Sequence, residues 1–98
     1  MIRRVVIRPE AEADLLDAMS WYKAQREGLE DGFFLAFDAS LSKIRRTPKV
    51  FPIVHGDIRR ALLRRFPYGI YYFLEGEAAV VIAVFHAKRD PKRWQQRR

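Results

Sequence analysis

The sequence predicts an α+β domain of order β-α-α-β-β-β, with a helical hairpin packed on a small, mainly antiparallel sheet. Three observations carry this expectation. Val5-Val6-Ile7 is a β-branched run that stops at Pro9. Apolar residues then recur at helical spacing in two successive segments, parted by a few residues around Gly28. Beyond Pro48 and Pro52 the pattern turns to short β-rich runs separated by turn residues.

Met1 to Arg8 reads as the first strand. The first helix spans Pro9–Arg26, with Ala11, Leu15, Ala18 or Met19, and Tyr22 as its stripe. Glu10, Glu12 and Asp14 crowd its start, and Lys23 and Arg26 lie near its end, so both ends complement the helix dipole. Gly28 follows as a stop. The second helix, Glu30–Arg46, repeats the design: Phe34, Phe37, Leu41 and Ile44 form the stripe, Lys43, Arg45 and Arg46 close it, and Pro48 ends it. The short connection makes the pair antiparallel. Ile58 to Phe66, Ile70 to Leu74 and Ala78 to Phe85 read as strands, with turns at Pro67-Tyr68-Gly69 and Glu75-Gly76-Glu77. Such short connections give an antiparallel meander. Asp90-Pro91 starts a turn or a helical cap, after which Trp94 packs back on the sheet. Residues 94–98 are expected as a flexible basic tail, and residues 1–98 as a single domain.

The chain of 98 residues is 49% hydrophobic and 13% aromatic, enough for one core and too short for two. Its formal net charge of +7 attracts polyanions: nucleic acid, anionic lipid or acidic protein segments. A basic face that is merely solvated is the plainer alternative. The absence of Cys excludes disulfides and thiolate zinc sites. His55 and His86, the two histidines, are too few for a His-based metal site, so no metal or cofactor is expected. The longest apolar run, Ala78 to Phe85, is too short to span a bilayer, and Val5-Val6-Ile7 too short for a signal segment. The expectation is a cytoplasmic protein with no membrane partner.

The last strand runs into FHAKRDPKRW, residues 85–94. Alternation places Val80, Ile82, Val84 and His86 on one face, and Val81, Ala83, Phe85 and Ala87 on the other. His86 at a sheet rim has the pKa range of a general acid or base; a half-buried His hydrogen-bonded at a strand end is the commoner case. By the same parity Arg60 and Arg64 share a face with Leu62, while Arg59 and Arg65 join Ala61 and Leu63. Guanidinium groups suit phosphates and carboxylates; charged protection of an edge strand is the alternative reading.

Four segments together resemble the RelE/ParE superfamily of bacterial type II toxin–antitoxin toxins: IRPEAEADLLDAMSWY, the Phe-rich second helix ending in KIRRTP, IRRALLRRFPYGIYY, and VVIAVFHAKRDPKRW. They span nearly the whole chain. The resemblance implies one of two activities. RelE-like members cleave mRNA on the ribosome as metal-independent endoribonucleases; ParE-like members poison DNA gyrase. Nuclease members generally place an Arg where this chain has Gly69, and their terminal acid/base position falls near Lys88, with His86 two residues away from it. The departure at Gly69 favours the ParE-like branch. It implies a growth-inhibiting, plasmid-stabilising toxin, bound into a hetero-oligomer by a cognate antitoxin with an acidic amphipathic segment. Residues expected to contact target or antitoxin are Arg60, Arg64, Arg65, Lys88, Arg89, Lys92, Arg93 and Trp94. On the nuclease alternative the candidates are His86, Lys88, Arg89 and Arg65.

Overall fold

The computed structural model describes residues 4–98, so the first three residues of the expected opening strand lie outside the described residues. In chain order the elements are β1 (Arg4–Ile7), α1 (Pro9–Gln25), α2 (Leu29–Arg46), β2 (Ile53–His55), β3 (Ile58–Leu62), β4 (Tyr68–Glu75), β5 (Ala78–His86) and α3 (Pro91–Gln95). The strands form one sheet of order β1-β5-β4-β3-β2. β1 runs parallel to β5 and the other neighbours are antiparallel. The expected order holds, with β2 and α3 in addition.

Pro9 occupies the first turn of α1, where a missing N–H costs no helical hydrogen bond. Between the helices the chain reverses at Gly28, whose φ of 97° is open to glycine at little cost. The hairpin buries Ala11, Leu15 and Ala18 of α1, with Phe33, Phe37, Leu41 and Ile44 of α2, against Ala61, Ile70, Tyr72, Val81 and Val84 of the sheet. The start of the α2 stripe differs from expectation: Phe33 is fully buried, whereas Phe34 is 43% exposed. Phe33 is drawn in by other rings. It stacks on Tyr22 at 5.2 Å and meets Phe66 and Tyr68 edge-on at 5.2 and 5.0 Å.

β5 contains a bulge. Tyr71 opposes Ala83 and Tyr72 opposes Val81, which leaves Ile82 as an extra residue. Ile82 and Ala83 therefore lie on the same side, the face turned away from the helices, while Val84 rejoins the helix-side core. The strict alternation expected for this strand is broken at that point. His86 shares its side with Val84 but not with Val80 and Ile82, and its ring stands against Tyr68 at 5.5 Å.

β3 is also shorter than expected. It ends at Leu62, and Leu63 N–H donates to the Tyr68 carbonyl to close the turn. Arg64 and Arg65 thus lie in the connection, where strand parity no longer pairs them with Arg60 and Arg59. For those two the alternation holds. Arg59 turns to the helix side and donates to the carbonyls of Lys49 and Phe51 at 3.1 and 2.7 Å. Arg60, beside Tyr71, belongs to the far face.

Candidate functional site

The far face of the sheet carries Ile58, Tyr71, Phe73, Val80, Ile82, Ala83 and Phe85, and the C-terminal segment covers it. Asp90 caps α3 by accepting the Lys92 N–H at 3.0 Å, and Pro91 follows in the first turn. That cap aims Trp94 at the sheet, where the indole stacks on Tyr71 at 4.5 Å and is 4% exposed. Guanidinium groups complete the cover. Arg8 and Arg98 lie over the Phe73 ring at 5.4 and 3.5 Å. Arg89, Arg93 and Arg97 lie around the Phe85 ring at 4.6, 5.8 and 4.7 Å.

Residues 94–98, expected as a flexible tail, make several specific contacts. Arg98 makes a two-point ion pair with Asp57, both distances 2.9 Å; this hydrogen bond holds the Asp57 carboxyl below its ordinary range. Arg97 reaches round the sheet to Asp14 of α1 and also donates to the Ile82 carbonyl in the bulge at 3.0 Å. Asp14 in turn accepts the Val84 N–H at 3.1 Å, beyond the point where β1 stops. Arg8 donates to the Arg97 carbonyl at 2.7 Å. One ion pair therefore satisfies the backbone groups that the bulge and the short β1 leave over. Asp14 is not a first-turn dipole residue, as its place among Glu10 and Glu12 suggested; its carboxylate faces the sheet. The signal was present in the sequence, because Asp14 is three residues after Ala11 and four before Ala18, on the inward stripe.

The candidate nuclease residues do not converge on an open surface. The His86 ring is half-buried, and its Nδ1 accepts the Lys88 N–H at 3.1 Å, the strand-end hydrogen bond of the plainer reading. Lys88 and Arg89 are exposed in the turn before α3. Arg65 lies elsewhere, with φ 71° in the β3–β4 connection. At Gly69, where an Arg marks nuclease members, a Cβ would stand 2.9 Å from Arg60 Cγ and 3.1 Å from its Cδ. The Arg60 stem fills that space, and its Nε is buried without a hydrogen-bond partner.

Arg26, Glu27, Arg64 and Arg65 line a groove of ≈ 670 Å³ together with the apolar side chains of Leu29, Leu35 and Phe66. On the helix side, burial pushes up the phenols of Tyr22, Tyr68 and Tyr72, the last to about 12. Among the described residues no cluster of three or more His, Cys, Asp or Glu could hold a metal ion, and no helix is long and apolar enough to cross a membrane.

The result is a small α+β domain whose far sheet face is covered by the chain's own C-terminal segment. Residues 5–91 match the family described as ParE toxin of type II toxin-antitoxin system, parDE, and the chain belongs to that family. No curated protein matches the sequence. Among solved structures it is similar to a chain of the chromosomal ParDE TA system from P. aeruginosa. The TM-score is 0.76 at 13% identity, covering 88% of this chain and 96% of that one.

Proposed function

We propose that this ParE-type toxin inhibits growth in the cytoplasm by poisoning DNA gyrase, and that a cognate antitoxin neutralises it. The single observation that carries the choice of target over mRNA cleavage is the closed far face. Metal-free RNA cleavage needs a group to activate the 2′-hydroxyl and cations to stabilise the phosphorane, all reaching one substrate. Here Trp94 stacks over Tyr71, Arg60 fills the space at Gly69, and His86 spends Nδ1 on its own turn. A gyrase poison needs a docking surface and no proton transfer.

The antitoxin reading is supported by the family and by the groove at Arg64 and Arg65. Three guanidinium groups against one carboxylate, Glu27, beside apolar side chains fit an acidic amphipathic segment, whose carboxylates meet the arginines while its apolar side chains enter the groove. Within the groove Leu35 is 67% exposed and so accessible to such a segment. Arg60, by contrast, is occupied as packing against Gly69.

The test is induction of the toxin with parallel readout of mRNA integrity and DNA double-strand breaks. His86→Gln is expected to stay toxic with DNA breaks intact, whereas joint removal of charge at Lys88 and Arg89 abolishes toxicity. Cleavage of mRNA on purified ribosomes by wild type but not by His86→Gln overturns this reading, since losing acid–base help costs about 10²–10⁴ in rate.

A further inference from the structure

Charge is distributed unevenly along this chain. Residues 9–40 hold eight of the twelve Asp and Glu side chains but only two of the nineteen Lys and Arg. The hairpin is thus acidic, and the rest of the molecule carries a large excess of cations. Those cations form surfaces of two textures. At Arg64 and Arg65 they line a groove together with apolar side chains. Between β5 and α3, Lys88, Arg89, Lys92 and Arg93 form an exposed ridge, and none of them lines that groove.

The ridge carries a net positive charge and is fixed in place. None of its four cations makes an ion pair among the described residues. Asp90 lies within it and accepts the Lys92 N–H, and Arg89 also lines a small cavity with Asp14 and Asp17, so three to four cations face at most this local acidity. Arg89 N–H donates to the His86 carbonyl at 3.0 Å, Lys88 N–H to His86 Nδ1 at 3.1 Å, and Trp94 anchors the helix that carries Lys92 and Arg93. The guanidinium groups of Arg89 and Arg93 both rest against Phe85. A planar guanidinium held on a ring keeps N–H donors at its edge for a phosphate, with less side-chain freedom left to lose.

We infer that this ridge binds the phosphate backbone of duplex DNA without regard to sequence, so that the toxin engages its target as a DNA-bound enzyme. The inference rests on the gyrase reading above. An amphipathic peptide needs apolar anchors, which the other basic surface offers and the ridge does not. Single-stranded nucleic acid calls for exposed aromatic faces on which bases stack. Trp94 is buried on Tyr71, and Phe85 lies under guanidinium groups. Trp21, 55% exposed, lines a small cavity with Arg89, Asp14 and Asp17 and is a single ring rather than a row of stacking faces. A duplex backbone asks only for spaced cations.

The experiment is fluorescence anisotropy of a labelled 20-base-pair duplex with the purified full chain, from 50 to 200 mM NaCl. Four phosphate contacts give a slope of log affinity against log salt of about −3.6, or about a hundredfold loss across that range. Lys92→Gln/Arg93→Gln should halve the slope to about −1.8. Arg45→Gln/Arg46→Gln, which removes the same charge at the end of α2, should leave it unchanged. No binding at 50 mM NaCl, an equal loss from both pairs, or equally tight binding of single-stranded RNA of the same length would each overturn the inference. A gyrase DNA-cleavage assay run beside it separates the two proposals. Trapped cleavage without DNA binding by the toxin alone sinks the ridge and leaves gyrase standing; DNA binding without trapped cleavage does the reverse.

Discussion

Replacing Asp14 by Ala removes an acceptor that serves two parts of the chain. It strands the Val84 N–H, bonded at 3.1 Å, and deprives Arg97 of its carboxylate, while Arg97 keeps the Ile82 carbonyl. A backbone N–H left unpaired in a largely buried place costs about 1–3 kcal/mol. Breaking a fully buried ion pair costs about 3–5 kcal/mol, but the side chains here are 22% and 11% exposed, so solvent lowers that contribution. Alanine also avoids the cost of desolvating the carboxylate. The net expectation is a loss of about 2–3 kcal/mol, or roughly 10–20 °C in Tm for a domain of this size. Urea unfolding followed by circular dichroism measures it. Arg97→Ala and the double variant complete a cycle, with a coupling of about 1 kcal/mol or more. In a Trp21→Phe background, Trp94 is the remaining indole, and its emission should shift to the red once Arg97→Ala loosens the C-terminal segment. A cost below about 0.5 kcal/mol for Asp14→Ala, or strict additivity in the cycle, refutes the role given to this pair.

Gly69→Ala should destabilise by about 1–3 kcal/mol, because the new Cβ would meet the Arg60 stem at 2.9 Å. The penalty should vanish in an Arg60→Ala background; a neutral Gly69→Ala in the wild-type chain contradicts the packing described. The buried Tyr72 phenol, which donates to the Pro48 carbonyl at 2.6 Å, titrates at about 12 rather than 10. The folded form then holds its proton more tightly than the unfolded chain. Its contribution is complete below pH 10 and lost between pH 10 and 12, at up to about 1.4 kcal/mol per unit. Tyr22 and Tyr68, raised in the same direction, add to that fall. Tyr72→Phe should cost about 1 kcal/mol near neutrality and make the alkaline loss of stability shallower; an unchanged alkaline profile would count against it.

The element order was legible because the apolar period changes sharply at Pro9 and again after Pro48. The Asp90-Pro91 cap and the return of Trp94 were legible for a local reason: both depend on residues within one turn of each other. What escaped was decided between distant segments. Phe33 and Phe34 both extend a helical stripe toward Phe37, and only the rings of Tyr22, Phe66 and Tyr68 choose between them. β2 is three residues long, follows Pro52, and pairs in an irregular register, too little for a period to show. The bulge left no trace because Ala78 to Phe85 is apolar at every position, so a slip by one residue exchanges one apolar side chain for another. His86, read by counting from inside that run, was consequently grouped with Val80 and Ile82 as well as with Val84, and the bulge separates it from the first two.

The same slip explains why the site was harder to read than the fold. The Ile82 carbonyl in the bulge and the Val84 N–H beyond β1 need partners from outside the strand ladder, and the chain supplies them from Asp14 and Arg97, 83 residues apart. Meeting that need draws the C-terminal segment across the far face. Once there, Trp94 and the arginines over Phe73 and Phe85 bury apolar surface that a domain of 98 residues can ill spare. Reopening the face for a substrate would mean giving up the Trp94–Tyr71 stack and the Asp14–Arg97 pair together. The interactions that stabilise so small a fold are therefore also the ones that cover the far face of its sheet. The exposed cations that remain outside the cover are those of the Arg64–Arg65 groove and of the ridge from Lys88 to Arg93, the two surfaces on which the proposals above rest.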